Sequence, residues 1–361
     1  MTTYTPAELG ITDADVLKLE GIKFYDVREE PFRVYGLYDY KNEPEFRRMP
    51  KDAAEAVSPA VANLSRMTAG GRVRFSTSSP YVAIFAENQG VWNYCAAMSD
   101  TGTGGFDLYA KRSGRDSWCA SYRVPGCWKG GTLSLVRWLQ GDKNARGEFD
   151  VTLNMPVYAG VKRLLIGLAP HASLSRREDY RVEKPVLFLG SSITQGGHVS
   201  RPGMAYEALI SRRLDCNFVN LGFAGACRGE DAMIEYIAAQ ECSVFVLDYD
   251  HNAPNEAHLA ATHEKLYLAF RASHPNVPVV MVTKPDAWLW HAANQARRDV
   301  IYRTYDNARR RGEKVVFVDG QSLFGGELRE ECTTDGCHPN DLGMSRMADV
   351  IGKAVDFALS M

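Results

Sequence analysis

The sequence has almost no excess charge: 42 Lys and Arg stand against 44 Asp and Glu, a formal net charge of −2. A basic stripe that would hold a polyanion is therefore missing, which argues against nucleic acid and anionic membrane surfaces as partners. No stretch approaches 18 consecutive apolar residues, so no segment reads as a bilayer-spanning helix. The N-terminus, MTTYTPAELGITDADV, has neither the basic start nor the apolar run of a secretory signal. These absences predict a soluble, cytoplasmic protein. Eight cysteines are present, but none stands in a CxxC pair. Reduced thiols packed as small apolar groups are the expectation. Internal repeats and low-complexity segments are also lacking.

What is there is length and apolar content. At 361 residues and 45% apolar composition the chain can bury a sizeable core, and two domains is the expectation, divided as 1–180 and 181–361. In the first part apolar residues come in short alternating runs. RVRFSTSSPYVAIFAE sets Val73 and Phe75 against Arg72 and Arg74, and GTLSLVRWL and DVTLNMPVYAG repeat the habit between turn residues. That pattern predicts an antiparallel β-sandwich, jelly-roll-like in kind.

After the polar link SRREDYRVEKP the period changes. Short apolar runs at 186–190, 218–222, 244–250, 277–283 and 314–320 alternate with amphipathic patterns near 203–214, 229–240, 255–273 and 291–311, and a last one begins near 340. Strand and helix in strict alternation predict a parallel sheet covered on both faces. Such sheets bind ligands at the carboxyl ends of their strands. The segments that follow the strands are GSSIT 190–194, GFAGACRGE 222–230, DHNAPN 250–255 and, beyond the fifth, TTDGCHPND 333–341. Their polar residues all fall on one rim.

Those residues suit nucleophilic catalysis. A serine hydroxyl at the tight turn, Ser192, needs a base to take its proton, and His338 is the candidate. Asp335, three residues earlier, is placed to hold the imidazole Nδ1–H and leave Nε2 for the serine. The backbone N–H groups of Ser192 and Gly225 and the side-chain amide of Asn252 are candidate oxyanion donors.

With these residues in hand, the second part resembles the SGNH, or GDSL-type, hydrolases, whose four blocks carry Ser, Gly, Asn and His in this order. GSSIT is similar to the Gly-Asp-Ser-Leu block, NLGFAG to the second, DHNA to the Gly-x-Asn-Asp block and DGCHP to the Asp-x-x-His-Pro block. The resemblance implies a three-layer αβα, flavodoxin-like domain over roughly residues 184–360, with Ser192 as nucleophile, Asp335 and His338 completing a triad, and Ser192, Gly225 and Asn252 lining the oxyanion hole. Ser191, Ala224, Asp250 and Ala253 depart from the usual block residues, which bears on substrate rather than on mechanism. In the first part GGFDLYAK, 104–111, resembles the Gly-x-Asp-Leu-Tyr signature of a β-sandwich domain that precedes some bacterial SGNH esterases.

Zinc held by Cys332, Cys337 and His338 lacks the paired spacing and second ligand pair of structural sites, so no metal and no cofactor is expected. Asn340 or Asp341 is expected to cap the last helix. His251 and Trp288 are candidate substrate contacts, against the alternatives of a loop-oriented histidine and a packed aromatic loop. Asp248 and Asp250 read as loop anchors rather than a metal pair.

The resemblance implies ester hydrolysis. The leading expectation is a serine esterase that removes a short acyl group, acetyl above all, from a hydrophilic molecule such as a sugar or glycoside. The alternatives are an acyltransferase that gives the same acyl-enzyme to an alcohol, and a non-catalytic carbohydrate-binding protein. The expected partner is a small-molecule or saccharide ester, with self-association left open.

Overall fold

The computed structural model describes residues 1–90, 96–126, 129–285 and 291–361, apart from the side chain of His291. The chain forms two compact units. One comprises Met1–Arg48, Arg66–Asp179 and Ser200–Gly203, and the other Met49–Ser65, Tyr180–Val199 and Met204–Met361. A single cut near residue 180 does not describe this division: two short helices, Lys51–Val57 and Pro59–Leu64, belong to the second unit, and four residues after the nucleophile segment belong to the first.

The first unit is built from two antiparallel sheets. One runs Thr3–Tyr4, Lys23–Asp26, Val161–Leu168, Tyr81–Gln89, Gly130–Trp138, and the other Leu174–Ser175, Arg72–Thr77, Phe149–Asn154, Phe106–Arg112, Arg115–Tyr122. Alternation sends Val82, Ile84 and Ala86 into one core with Val73, Phe75, Leu108 and Val151, while Tyr81, Ala83 and Phe85 face a second cluster with Ile11, Val16 and Phe24. The strand Tyr81–Gln89 is thus buried on both faces.

Arg72 and Arg74, which alternation assigns to the solvent face, are only 2% and 3% exposed. Both guanidinium groups lie over the Tyr35 ring, at 5.6 and 5.9 Å, and Arg72 donates to the Gly70 carbonyl at 2.7 Å. Period-2 alternation marks which face a residue takes, but an aromatic lid can bury a charged one.

The signature at 105–109 has a structural use in this unit. Asp107 is fully buried; it accepts the Asn154 side-chain amide at 2.8 Å and the Gly203 N–H at 3.0 Å, and Arg201 lies 3.4 Å from the same carboxylate. Gly203 is obligatory, since a Cβ there would lie 2.6 Å from the Tyr109 ring.

The second unit holds a five-stranded parallel sheet. In spatial order its strands are Cys216–Gly222, Val182–Gly190, Val244–Asp248, Val279–Val282 and Val315–Val318, a 2-1-3-4-5 arrangement counted along the chain. The central strands are buried throughout their apolar runs, as a sheet with helices on both faces demands. Helices Tyr206–Leu214 and Asp341–Leu359 pack together, while Asp231–Ala238, Glu256–Ser273 and His291–Arg310 form a second row. Three layers in this strand order are the αβα flavodoxin-like arrangement. The order reverses between the first and third strands of the chain, so the ligand crevice of such a sheet lies where Val182–Gly190 and Val244–Asp248 end. Among the described residues no helix is long and apolar enough to cross a membrane.

Candidate active site

The two strands at the reversal point lead directly into candidate site residues. Val182–Gly190 ends one residue before the short helix Ser192–Gln195, and Val244–Asp248 is followed by a 3₁₀ turn, Asp250–Asn252. Glycine makes this approach possible. A Cβ on Gly190 would stand 1.9 Å from Thr194 Oγ1, and one on Gly222 would stand 2.2 Å from the Gln195 nitrogen. Ser191 caps the helix by accepting the Ile193 N–H at 3.1 Å.

Beneath the helix lies a buried polar network. Tyr206 and Thr194 donate to Asp248 Oδ2 at 3.0 and 3.2 Å, and the Asn220 amide donates to the Thr194 carbonyl at 2.5 Å. Burial, with Asp250 nearby, pushes the Asp248 carboxyl well above its usual range. Asp248 therefore anchors the nucleophile turn from below, and Asp250 anchors a neighbouring segment by accepting the Lys284 N–H at 3.0 Å.

The histidine arrives on a tight loop. Asp335 folds its own segment by accepting the N–H groups of Cys337 at 2.9 Å and His338 at 2.7 Å on Oδ1, while Gly336 takes the left-handed conformation between them. Its other oxygen, Oδ2, lies 2.8 Å from His338 Nδ1. His338 Nε2 lies 2.9 Å from Ser192 Oγ. Burial alone would raise the Asp335 pKa, but hydrogen bonds from the His338 backbone and ring outweigh it and hold the group at about 2. Immediately afterwards Asn340 caps the helix Asp341–Leu359 through the N–H groups of Leu342 and Gly343, at 3.0 and 3.2 Å.

The candidate oxyanion residues sit on the adjoining loops. Gly225 has φ +70°, and a Cβ there would meet nothing within 4 Å, so backbone conformation rather than crowding calls for glycine. Gln195 Oε1 accepts the Ala224 N–H at 3.0 Å. Asn252 accepts the Cys227 N–H on Oδ1 at 3.4 Å, which leaves its Nδ2 as the donor end. The structure thus brings Ser192, Asp335 and His338 into one hydrogen-bonded line and sets Gly225 and Asn252 on loops joined to each other.

His251 is kept neutral: burial lowers its pKa well below the usual value, with Lys284, His338 and Arg297 adding to the effect. Its Nε2 is buried without a hydrogen-bond partner among the described residues. Trp288 lies outside the described residues. Cys332 Sγ is engaged by the Leu328 carbonyl of its own loop and by Arg346 of the helix Asp341–Leu359.

Sequence reasoning passed over His198. Its ring stacks on His338 with centroids 4.6 Å apart and planes 12° from parallel. Nothing in periodicity or block pattern marks it; only its position six residues beyond Ser192 in a glycine-rich stretch offers a signal. His198, Asp335 and His338 each offer a ligand atom within 4.8 Å of the others. Near-parallel stacked imidazoles direct their in-plane lone pairs side by side rather than at one point, which does not suit a tetrahedral ion.

Comparison with known proteins agrees with this architecture. Residues 183–356 match the GDSL-like Lipase/Acylhydrolase family, and residues 22–174 match the GxDLY family, the N-terminus of Esterase_SGNH_hydro-type. No curated protein matches the chain. A structure assigned as a GDSL-like lipase from Bacteroides ovatus ATCC 8483 is 26% identical, covering 94% of this chain and 98% of that one, with TM-score 0.83. A salicylyl-acyltransferase from a tetracycline biosynthetic pathway shares the fold at 18% identity, 94% and 98% coverage and TM-score 0.75. A family two carbohydrate esterase from Clostridium thermocellum, in complex with cellohexaose, shares it at 14% identity, 91% and 99% coverage and TM-score 0.61.

Fold and family together define a carboxylic ester hydrolase. Residues 183–356 form a domain of the GDSL-like lipase/acylhydrolase family, and residues 22–174 form a GxDLY domain, the N-terminal domain of SGNH-type esterases.

Proposed function

We propose that the protein is a serine esterase that removes short acyl groups, acetyl above all, from a hydrophilic substrate such as a sugar or glycoside. The observation that carries this reading is the line Ser192 Oγ, His338 and Asp335, with spacings of 2.9 and 2.8 Å. His338 Nε2 takes the hydroxyl proton as Ser192 Oγ bonds to the ester carbonyl carbon, and the carbonyl electron pair moves onto oxygen. The N–H groups of Ser192 and Gly225 and the amide of Asn252 stabilise that oxyanion. Collapse breaks the bond to the alcohol, which leaves with the proton from His338. Water then repeats the sequence and frees the acid. Asp335, ionised and hydrogen-bonded to Nδ1, keeps the imidazole in the tautomer that accepts at Nε2.

The saccharide preference is supported by the polar segments beside Ser192 and by a fold shared with carbohydrate esterases, one of them bound to cellohexaose. His251, neutral and with an Nε2 that has no partner among the described residues, is the side chain we assign to a substrate hydroxyl or carbonyl.

The test is release of acetate from a panel of acetylated sugars and short nitrophenyl esters, each with and without an added alcohol, using Ser192→Ala as control. Hydrolysis of the acetylated sugars that Ser192→Ala abolishes is the expected result. Transfer to the alcohol in preference to water replaces the esterase with an acyltransferase. No turnover of any ester leaves a carbohydrate-binding protein.

A further inference from the structure

We propose that His198 is a positioning residue of the reaction, its ring a fixed platform that holds the His338 imidazole on the line between Asp335 and Ser192 and faces the imidazolium that forms there. The inference rests on the serine esterase reading above.

The need for such a platform follows from exposure. The Asp335 side chain is 39% exposed and that of His338 26% exposed. Water thus competes for the two hydrogen bonds, to Asp335 and to Ser192, that orient the imidazole, and loss of either lets the ring swing about Cα–Cβ. A flat ring at 4.6 Å and 12° closes one side of that swing. When Nε2 gains the serine proton, the charged ring lies against a π-face, an arrangement that favours the cation.

The backbone indicates that this placement is built in. The nucleophile helix ends at Gly196, in the left-handed region at φ +97°, and the turn is closed by Gly196 N–H to the Ile193 carbonyl at 3.0 Å and Gly197 N–H to the Ser192 carbonyl at 2.8 Å. His198 itself stands at φ +68°, where a side chain other than glycine's is uncommon and carries strain. Two glycines precede it, so the chain had residues suited to that conformation at hand, yet an imidazole occupies it.

The charge on His198 is consistent with this role. Burial lowers its pKa first and the neighbouring His338 lowers it further, with Asp335 opposing. A neutral His198 adds no like charge to the imidazolium beside it. The same parallel stack that prevents the two rings from converging on a metal ion is what a platform requires.

The experiment uses the full chain with Ala, Gly and Phe at position 198, and reads the second-order rate of labelling by a fluorophosphonate. In that reaction Ser192 Oγ bonds to phosphorus, fluoride leaves and His338 takes the proton, so the rate reports activation of the nucleophile without a known substrate. Melting temperatures are recorded for each protein. His198→Gly and His198→Ala are expected to label roughly tenfold more slowly than wild type, and His198→Gly to do so without a fall in melting temperature, since glycine relieves the strain at φ +68°. His198→Phe, which restores a flat ring, is expected to recover most of the rate. A His198→Gly protein that labels as fast as wild type overturns the proposal, and so does a His198→Phe protein as slow as His198→Gly. Wild-type protein left unlabelled at Ser192 instead overturns the serine nucleophile on which the inference stands.

Discussion

The Oε1 atom of Gln195 accepts the backbone N–H of Ala224 at 3.0 Å, so the helix that begins with Ser192 is tied directly to the loop that carries Gly225. Gln195 is fully buried, and its own N–H donates to the Ser191 carbonyl at 3.0 Å. Breaking the side-chain bond leaves a buried N–H unpaired and frees the loop to shift. Gln195→Ala is expected to lower kcat about tenfold with little change in KM, because a loosened oxyanion donor is felt in the transition state more than in the ground state. Steady-state kinetics with a nitrophenyl ester checks this, and an unchanged kcat would separate the Gln195 bond from catalysis.

Asp335 is held at about 2, so it stays ionised throughout the working range and adds no limb to the pH profile. The rate should instead rise with pH as the base that serves Ser192 loses its proton. Asp335→Asn should lower the rate by roughly 10²–10⁴ at every pH, since it favours the wrong imidazole tautomer. The depressed pKa also has a sign for stability: its contribution is complete above an unfolded value near 4 and is lost as pH falls through about 2. A flat rate profile from pH 5 to 8 would argue against a histidine base.

Asn252→Ala should cost roughly 10²–10³ in kcat, the usual effect of one lost oxyanion donor. The side chain also accepts the Cys227 N–H at 3.4 Å, so its loss loosens the same loop. KM for a short ester should change little, because the ground-state carbonyl makes weaker use of the donor. If kcat were unaffected, the third block would be wrongly registered.

Asp250 behaves oppositely to Asp335. Burial raises its pKa to about 6 against hydrogen bonding from the Lys284 and His251 backbones and the nearby charges of Arg297 and Lys284. A raised folded pKa contributes stability fully below an unfolded value near 4, which is lost as pH rises through 6. Asp250→Asn keeps an oxygen for the Lys284 N–H and removes the buried charge. Thermal melts should therefore show the variant a few degrees above wild type at pH 7 and equal to it at pH 4. A variant that melts lower at both values would show that the carboxylate is stabilising where it stands.

The parallel sheet was legible because its strands read as continuous apolar runs, and VLFLG and FVNLG end in glycine because a Cβ at Gly190 or Gly222 would collide with the nucleophile helix. Ser192 and His338, 146 positions apart, could be paired before the fold was known because each stands in a short block of its own. Features that depend on contacts across the chain stayed hidden. Lys51–Val57 and Pro59–Leu64 lie amid sandwich strands in sequence yet belong to the second unit, and no local pattern announces that. Arg72 and Arg74 read as solvent-facing because the ring of Tyr35 that covers them comes from a separate strand. His198 carries no periodic or block signal, and its importance lies in a stack with a residue 140 positions away.

The length of the acyl chain follows from what surrounds Ser192. A fatty chain needs a continuous apolar surface, lined by large aliphatic and aromatic side chains. The residues after Ser192 are Ile193, which is buried at 1% exposure, then Thr194, Gln195, Gly196, Gly197 and His198, and those after Gly225 are Ala226, Cys227, Arg228, Gly229 and Glu230. Apart from the buried Ile193 none is a large aliphatic group, and none of the exposed large hydrophobic residues among those described falls in either segment. Each extra methylene of a longer acyl chain would therefore stay in water rather than gain about 0.8 kcal/mol by burial. Acetyl esters should be cleaved faster than octanoyl or longer ones, with kcat/KM falling or flat as the chain grows. A nitrophenyl ester series from acetate to decanoate measures this directly. A kcat/KM that climbs several-fold with each added pair of methylenes would mean that an apolar groove serves the site and that the hydrophilic short-acyl reading is wrong.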